Sequence, residues 1–515
     1  MQPNFLQLTR AAMISAASLL LCSTAVSAET LRYATIGEPP SLDVQMGTAT
    51  IAATIGQHIF ETLYAFDSKF DPQPMLASGE TLQDDGRTIV IALREGVSFH
   101  NGKEMTAEDV VASLQRWGEF GARGKLLMAN AVSVEATGKY EVTLTLSEPN
   151  GAWKSMLAFP NGGPAIYPSE IVTAAAGQPI DPANYIGTGP FKFGEWRANR
   201  YVELVRYDEY GSLDTLSDGY AGARTADVDA IQFIPVPDVG TRVSGVQAGD
   251  YDYAEFISGD LYSILKDDPS VTIHVSGAPI FGLMFMNSSN GPLKGNYALR
   301  RAILAALNME EALRVSVGEE ALWDANGSFF PEGNIWFSDA GTEAYNQGDV
   351  ELARTLAAEA GYDGTPIKLL VSTNYKEHYD QATVFTRQLA DAGINVQMVV
   401  VDWATLLKYR GQPEQWDMFV THHGNIPDPI LLTALNDSYP GWWATPEKTA
   451  LNAVFTGSAD PAVRQDAWSK LQALVYEQVP TVKVGDVYSY DIASPDLKGM
   501  WDQSLIWPHF WGVSK

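Results

Sequence analysis

Between residues 366 and 423 the chain alternates short apolar runs with amphipathic stretches, and this constrains the fold more than any other feature. "PIKLLVSTNY" (366–375) reads as a strand, "KEHYDQATVFTRQLADAG" (376–393) as a helix stopped at Gly393, and "INVQMVVV" (394–401) as a second strand. "TLLKYR" (405–410) is a further helix and "WDMFVT" (416–421) a third strand. A βαβαβ succession predicts a mostly parallel sheet with covering helices. In such sheets ligands collect at the carboxyl ends of the strands. Two polar clusters fall at those ends. One is "STN" with Asn374; the other is "THHGNIPDP" (421–429), with His422, His423, Asn425 and Asp428.

The other segments read in the same way. "TLRYATIGEPPSLD" is a strand entering a Pro-rich loop, and "TIVIALREGVSF" alternates Ile89, Ile91 and Leu93 before the turn at Asn101-Gly102. Thr106 is an N-cap for "TAEDVVASLQRW", with Glu108 and Asp109 where the helix dipole favours acids. "YEVTLTL" is another alternating strand, and "PLKGNYALRRAILAALNMEEAL" (292–313) a helical pair. At 515 residues two or three domains are expected. The net charge of -28, from 62 acidic against 34 basic residues, repels phosphate backbones and argues against nucleic acid as a partner.

The N-terminus carries one basic residue, then "AAMISAASLLL", an apolar run of signal-peptide length and too short to span a bilayer. "VSA" (26–28) supplies a cleavage site, so residues 1–28 are expected to be a signal peptide cut near Ala28. Cys22 is the one cysteine. The processed chain therefore has no disulfide or thiol chemistry and must be held by its core.

Several segments together resemble the family 5 extracellular solute-binding proteins, the periplasmic receptors of peptide and nickel ABC transporters. They are "GEPPSLD" (37–43), "ALREGVSFHNGKEMTAEDVVASLQRW" (92–117), "YIGTGPFKFGEW" (185–196) with "VRYDEY" (205–210), "LRRAILAALNMEEAL" (299–313) and "DMFVTHHGNIPDP" (417–429). The resemblance runs in order along the whole processed chain. It implies an α/β, two-lobe periplasmic binding protein fold of the class II/cluster C type, with mixed sheets, a hinge between the lobes and an extra subdomain in lobe I. Lobe I would hold 29–277, with its subdomain at about 68–185, and the return 484–515; lobe II would hold 278–483. The implied function is capture of a peptide-like or small polar solute between the lobes and delivery to an inner-membrane ABC permease. No cofactor, nucleic acid, membrane insertion or catalysis is expected, and the state is a monomer in the periplasm. The alternatives are a chemosensory or chaperone-like envelope receptor on the same fold, or a binder of a metal chelate such as nickel.

Side by side on a strand, His422 and His423 point to opposite faces and could not easily share one ion. His58, His100, His274, His378 and His509 lack ligand-like spacing, and no HxxxH or H-E-x-x-H occurs, so no metal site is expected. One histidine of the pair is expected in the core. The other faces the cleft, where it would make binding weakly pH-sensitive. In peptide-binding members this strand end offers an Asp to the ligand's α-ammonium, where this chain has Asn425. Asp428 could substitute for it, or could form the turn before Pro429. Trp323 and Trp416 are candidate stacking platforms. Gly47, Thr48 and Thr50, after "SLD", lie where family members hydrogen-bond the ligand. The chain has no G-x-S-x-G elbow, and "GTGPFKFG" lacks the Lys-Ser/Thr of a phosphate loop.

Overall fold

Two large β-sheets carry the molecule, and the chain passes between them twice. The computed structural model describes residues 29–500 and 505–515; the expected signal peptide, with Cys22 and the cleavage site, lies outside the described residues. In the seven-stranded sheet the order is Thr272–Val275, Tyr490–Ala493, Tyr253–Ala254, Thr30–Thr35, Ala230–Pro235, Tyr201–Arg206, Phe191–Arg197. In the six-stranded sheet it is Trp323–Asp324, Thr481–Val487, Ile280–Met286, Met418–His423, Ile367–Ser372, Val396–Val401. The crossings fall at 276–279 and at 488–489, where Ser276 N–H donates to Ser489 O at 2.8 Å and ties the two passages together.

The βαβαβ run forms as its periodicity predicts, with the helix Lys376–Asp391 ended near Gly393 at φ 79°. A mostly parallel sheet does not form. Only Ile367–Ser372 is parallel to its neighbours, Val396–Val401 and Met418–His423. Ile280–Met286 and Thr481–Val487 enter from and return to the other sheet, so their pairings are antiparallel. That direction is set by the crossings and leaves no trace in local periodicity.

A four-stranded antiparallel sheet (Ala77–Gln83, Thr88–Leu93, Glu141–Leu146, Ala131–Gly138) makes a smaller unit. Ile89, Ile91, Leu93, Val142, Leu144 and Leu146 are buried on one face of it, against Val110, Leu114 and Trp117 of the helix Ala107–Phe120. Each such side chain contributes about 1.5–3 kcal/mol by leaving water. Arg116, from the same helix, forms a buried ion pair with Asp43 of "SLD" at 2.5 Å and anchors the loop after the first strand. Among the described residues no helix is long and apolar enough to cross a membrane.

Candidate functional site

A cavity of about 850 Å³ lies where the two sheets meet. Ile257–Asp260, just past the carboxyl end of the strand Tyr253–Ala254, line one side together with Ser489 and Tyr490. The other side comes from Gly282, Val315–Glu319, the first turns of the helix Lys376–Asp391, and His422 at the carboxyl end of its strand. Ligand-sized space at strand ends is where the sequence placed it. Three carboxylates, Asp260, Glu319 and Glu377, border the cavity. Among the described residues Lys376 is the one cation lining it, and its pairing with Asp380 leaves the wall acidic.

Strand neighbourhood explains the most informative contact. Met418–His423 and Ile367–Ser372 are adjacent and parallel, so the helix that follows Ser372 starts beside the end of the other strand. This brings His378 Nε2 to 2.9 Å from His422 Nδ1. Glu377 Oε1 is 4.0 Å from His378 Nε2. Tyr375 packs edge-on against His422, with ring centroids 5.2 Å apart. One turn further along the helix, Gln381 is 1% exposed, lines the cavity, and has an Oε1 with no hydrogen-bond partner. Burial, helped by the neighbouring His422, pushes His378 down to about 3; burial likewise lowers His422, against the pull of Glu377. His423 is lowered by burial too. All three rings are neutral near pH 7, so the geometry does not support a histidine-based pH response at that pH.

His378 is thus not scattered, as its spacing suggested. The signal available in the sequence was a Glu-His pair in the first turn of a helix whose strand precedes it directly, with Gln381 three residues on.

The other predicted residues do not gather in this cavity. His423 points away from His422, as alternation requires, and stacks on Phe281 at 5.3 Å and 6°. Trp323 is half-buried behind the wall, its Nε1–H donating to Gly318 O at 3.5 Å. Asn374 is exposed, and its Oδ1 accepts from Trp403 N–H at 2.9 Å. Gly47 and Thr48 are exposed on another loop, where Thr48 O accepts from Asn161 Nδ2 at 3.1 Å, and Thr50 is exposed at the start of the helix Thr50–Ile59. Asn425 is half-buried with an unpartnered Oδ1.

One expectation is corrected, and of the two readings of Asp428 the turn before Pro429 is the one that forms. Trp416 is fully buried, stacks on Trp442 at 5.7 Å and donates to Arg410 O at 3.1 Å, so it is core rather than a ligand platform. Asp428 is fully buried with both oxygens engaged: Arg464 Nη2 reaches them at 2.9 and 3.0 Å, Ser155 Oγ at 2.9 Å and Ile430 N–H at 3.0 Å. It has no acceptor site left for an ammonium.

Comparison with known proteins follows from this geometry. Residues 71–440 match the family described as bacterial extracellular solute-binding proteins, family 5 Middle. Over 537 aligned residues the chain is 28% identical to a probable peptide ABC transporter periplasmic-binding protein, y4tO, of Sinorhizobium fredii, covering 99% of this chain and 98% of that protein. It is 26% identical over 478 residues to the oligopeptide-binding protein AppA of Bacillus subtilis, covering 86% of this chain and 82% of that one. In fold it resembles HbpA2 from Haemophilus parasuis, with a TM-score of 0.80 at 20% identity over 94% of this chain and 99% of the other.

Proposed function

The chain belongs to the family 5 bacterial extracellular solute-binding proteins, and from that premise we propose that it captures a peptide-like solute in the cavity between its two sheets and hands it to an ABC permease. The family binds substrates rather than transforming them, and the similarity to y4tO and AppA supports a peptide as the solute. On this reading the seven-stranded sheet belongs to lobe I (29–277 with the return from 484) and the six-stranded sheet to lobe II (278–483). The paired crossings are the hinge. A signal peptide of residues 1–28 delivers the protein to the periplasm, where it acts as a monomer.

The observation that carries the proposal is a cavity lined from both sides. A solute held there touches both bodies and so favours the closed arrangement, because a ligand shifts an equilibrium only through differential contacts. Its volume is within the usual range for small-molecule sites. The acidic wall also answers the question raised by Asn425. Asp260, Glu319 and Glu377 can meet a solute ammonium that no carboxylate at position 425 would hold. Of the sequence-predicted residues, His422 lines this wall. Gly47, Thr48, Thr50 and Asn425 lie outside this lining, and Asn374 and His423 serve local packing.

A thermal-shift screen over di- to pentapeptides, opines and oligosaccharides tests this. At a hundredfold excess over Kd a native-state ligand adds about 2.7 kcal/mol, which for a chain of this size raises Tm by roughly 2–3 °C. A rise with peptides bearing a free N-terminus, lost on N-acetylation, is expected. A shift with non-peptides alone would overturn the peptide assignment, and recovery of cleaved peptide would overturn the binding role.

A further inference from the structure

Glu377, His378 and His422 offer three ligand atoms lying within 4.8 Å of one another. We propose that these residues bind one divalent first-row transition-metal ion on the cavity wall, with the Gln381 side-chain oxygen beside them. Imidazole nitrogen and carboxylate oxygen form a donor set suited to Cu²⁺, Ni²⁺ or Zn²⁺.

The geometry is specific. The 2.9 Å contact between the two nitrogens is a hydrogen bond in which one ring donates. An ion would displace that proton, and nitrogens held at this separation, each about 2.0–2.1 Å from a common ion, would subtend an angle of about 90° at it. That is a cis edge of a square-planar or octahedral shell; a tetrahedral angle would need the nitrogens about 3.4 Å apart at the same bond length. The Glu377 carboxylate, one-third exposed and 4.0 Å from His378 Nε2, would have to move inward to join the shell. Gln381 follows Glu377 and His378 by four and three residues, so it shares their helix face. Its oxygen is buried in the cavity wall without a partner, an arrangement that costs stability unless something donates to it or coordinates it. The remaining coordination positions face the cavity. His378 Nδ1 has no partner, so this imidazole lacks the outer hydrogen bond that usually backs a metal ligand; losing such support weakens affinity by roughly 10–100-fold. The sequence rule that His422 and His423 cannot share an ion still holds, because the second nitrogen comes from the neighbouring helix.

The inference does not depend on the identity of the solute. Tag-free protein stripped with EDTA would be titrated calorimetrically with Cu²⁺, Ni²⁺ and Zn²⁺. One equivalent per chain is expected, with Cu²⁺ tightest and, for Cu²⁺, a visible band from nitrogen coordination. His422→Gln should weaken binding at least a hundredfold and Glu377→Gln about tenfold. Because Glu377 is partly exposed, its variant keeps the fold and remains informative if His422→Gln melts early. No saturable binding by any of the three ions, or unchanged affinity in Glu377→Gln, would overturn the site. Peptide-induced Tm shifts measured in EDTA report on solute binding separately, so the two readings fail independently.

Discussion

Around Asp428 a carboxylate, a guanidinium and a hydroxyl satisfy one another. Arg464 reaches both carboxylate oxygens, and its guanidinium also lies over the Trp336 and Phe455 rings at 4.6 and 4.5 Å. Ser155 completes the set from the part of the chain that carries the four-stranded sheet. Breaking such a pair costs more than the pair contributes, because the partner charge stays buried. Asp428→Asn should therefore lower unfolding stability by about 3–5 kcal/mol, read from urea denaturation, while peptide affinity of the folded protein falls by far less than loss of a direct ligand anchor would cause. A ligand anchor would behave in the opposite way, losing affinity by orders of magnitude at little cost in stability.

At the scale of elements, the strand Tyr490–Ala493 carries a partly buried acid into the larger sheet. Asp491 accepts from Tyr253 Oη and from Phe256 N–H at 2.7 Å. Burial pushes it up to about 7, with Glu255 adding to the shift and those hydrogen bonds opposing it. An unfolded Asp titrates near 3.9. Between these values the folded chain holds a proton that the unfolded chain has released. The resulting stabilisation is full below about pH 4 and lost as pH rises through about 7. Asp491→Asn stays neutral throughout. It should stabilise the protein by about 1–3 kcal/mol at pH 8, and that gain should vanish by pH 4 in melts run across the range.

The same scale shows what could be read before the structure. Period-two runs such as Ile89-Ile91-Leu93 and the helix ending near Gly393 were legible because each signal is local. The antiparallel half of the six-stranded sheet was not, since its direction depends on crossings far away in sequence. The site divides along the same line. His422 was visible at a strand end, whereas its contact with His378 exists only because two strands, separated in sequence by a third, lie side by side. Trp416 was misjudged for a related reason: the loop-like sequence around it is packed into the core against Trp442, while at Asp428 the turn was legible and its pairing with Arg464 was not.

For the whole molecule, the far side of the proposed cleft is closed by a few direct contacts. Gly151 N–H donates to Thr456 O at 2.6 Å, Ile335 N–H to Lys69 O at 3.2 Å, and Ser155 meets Asp428. At Gly151 the approach is so close that a Cβ would stand 2.1 Å from Ser458 O and 2.7 Å from the Arg464 side chain. Gly151→Ala is a wedge between the two bodies. It should raise the radius of gyration in X-ray scattering and weaken peptide binding about tenfold or more, while leaving the melting of each core nearly unchanged. Unaltered scattering and affinity would show that closure does not run through this contact.

The strand Tyr490–Ala493 sits between Thr272–Val275 and Tyr253–Ala254, which precede it by more than two hundred residues. Gln57 donates to Pro508 O at 2.7 Å, and His58 Nε2 accepts from Phe510 N–H at 2.9 Å, so the last residues also clasp the first helix. A chain emerging from the ribosome therefore carries an open slot in its larger sheet, with two unpaired edges, until nearly the whole polypeptide has been made. Completion of the larger sheet waits on the carboxyl terminus, and a chain stalled short of residue 490 carries every strand of the six-stranded sheet but leaves the seven-stranded one open.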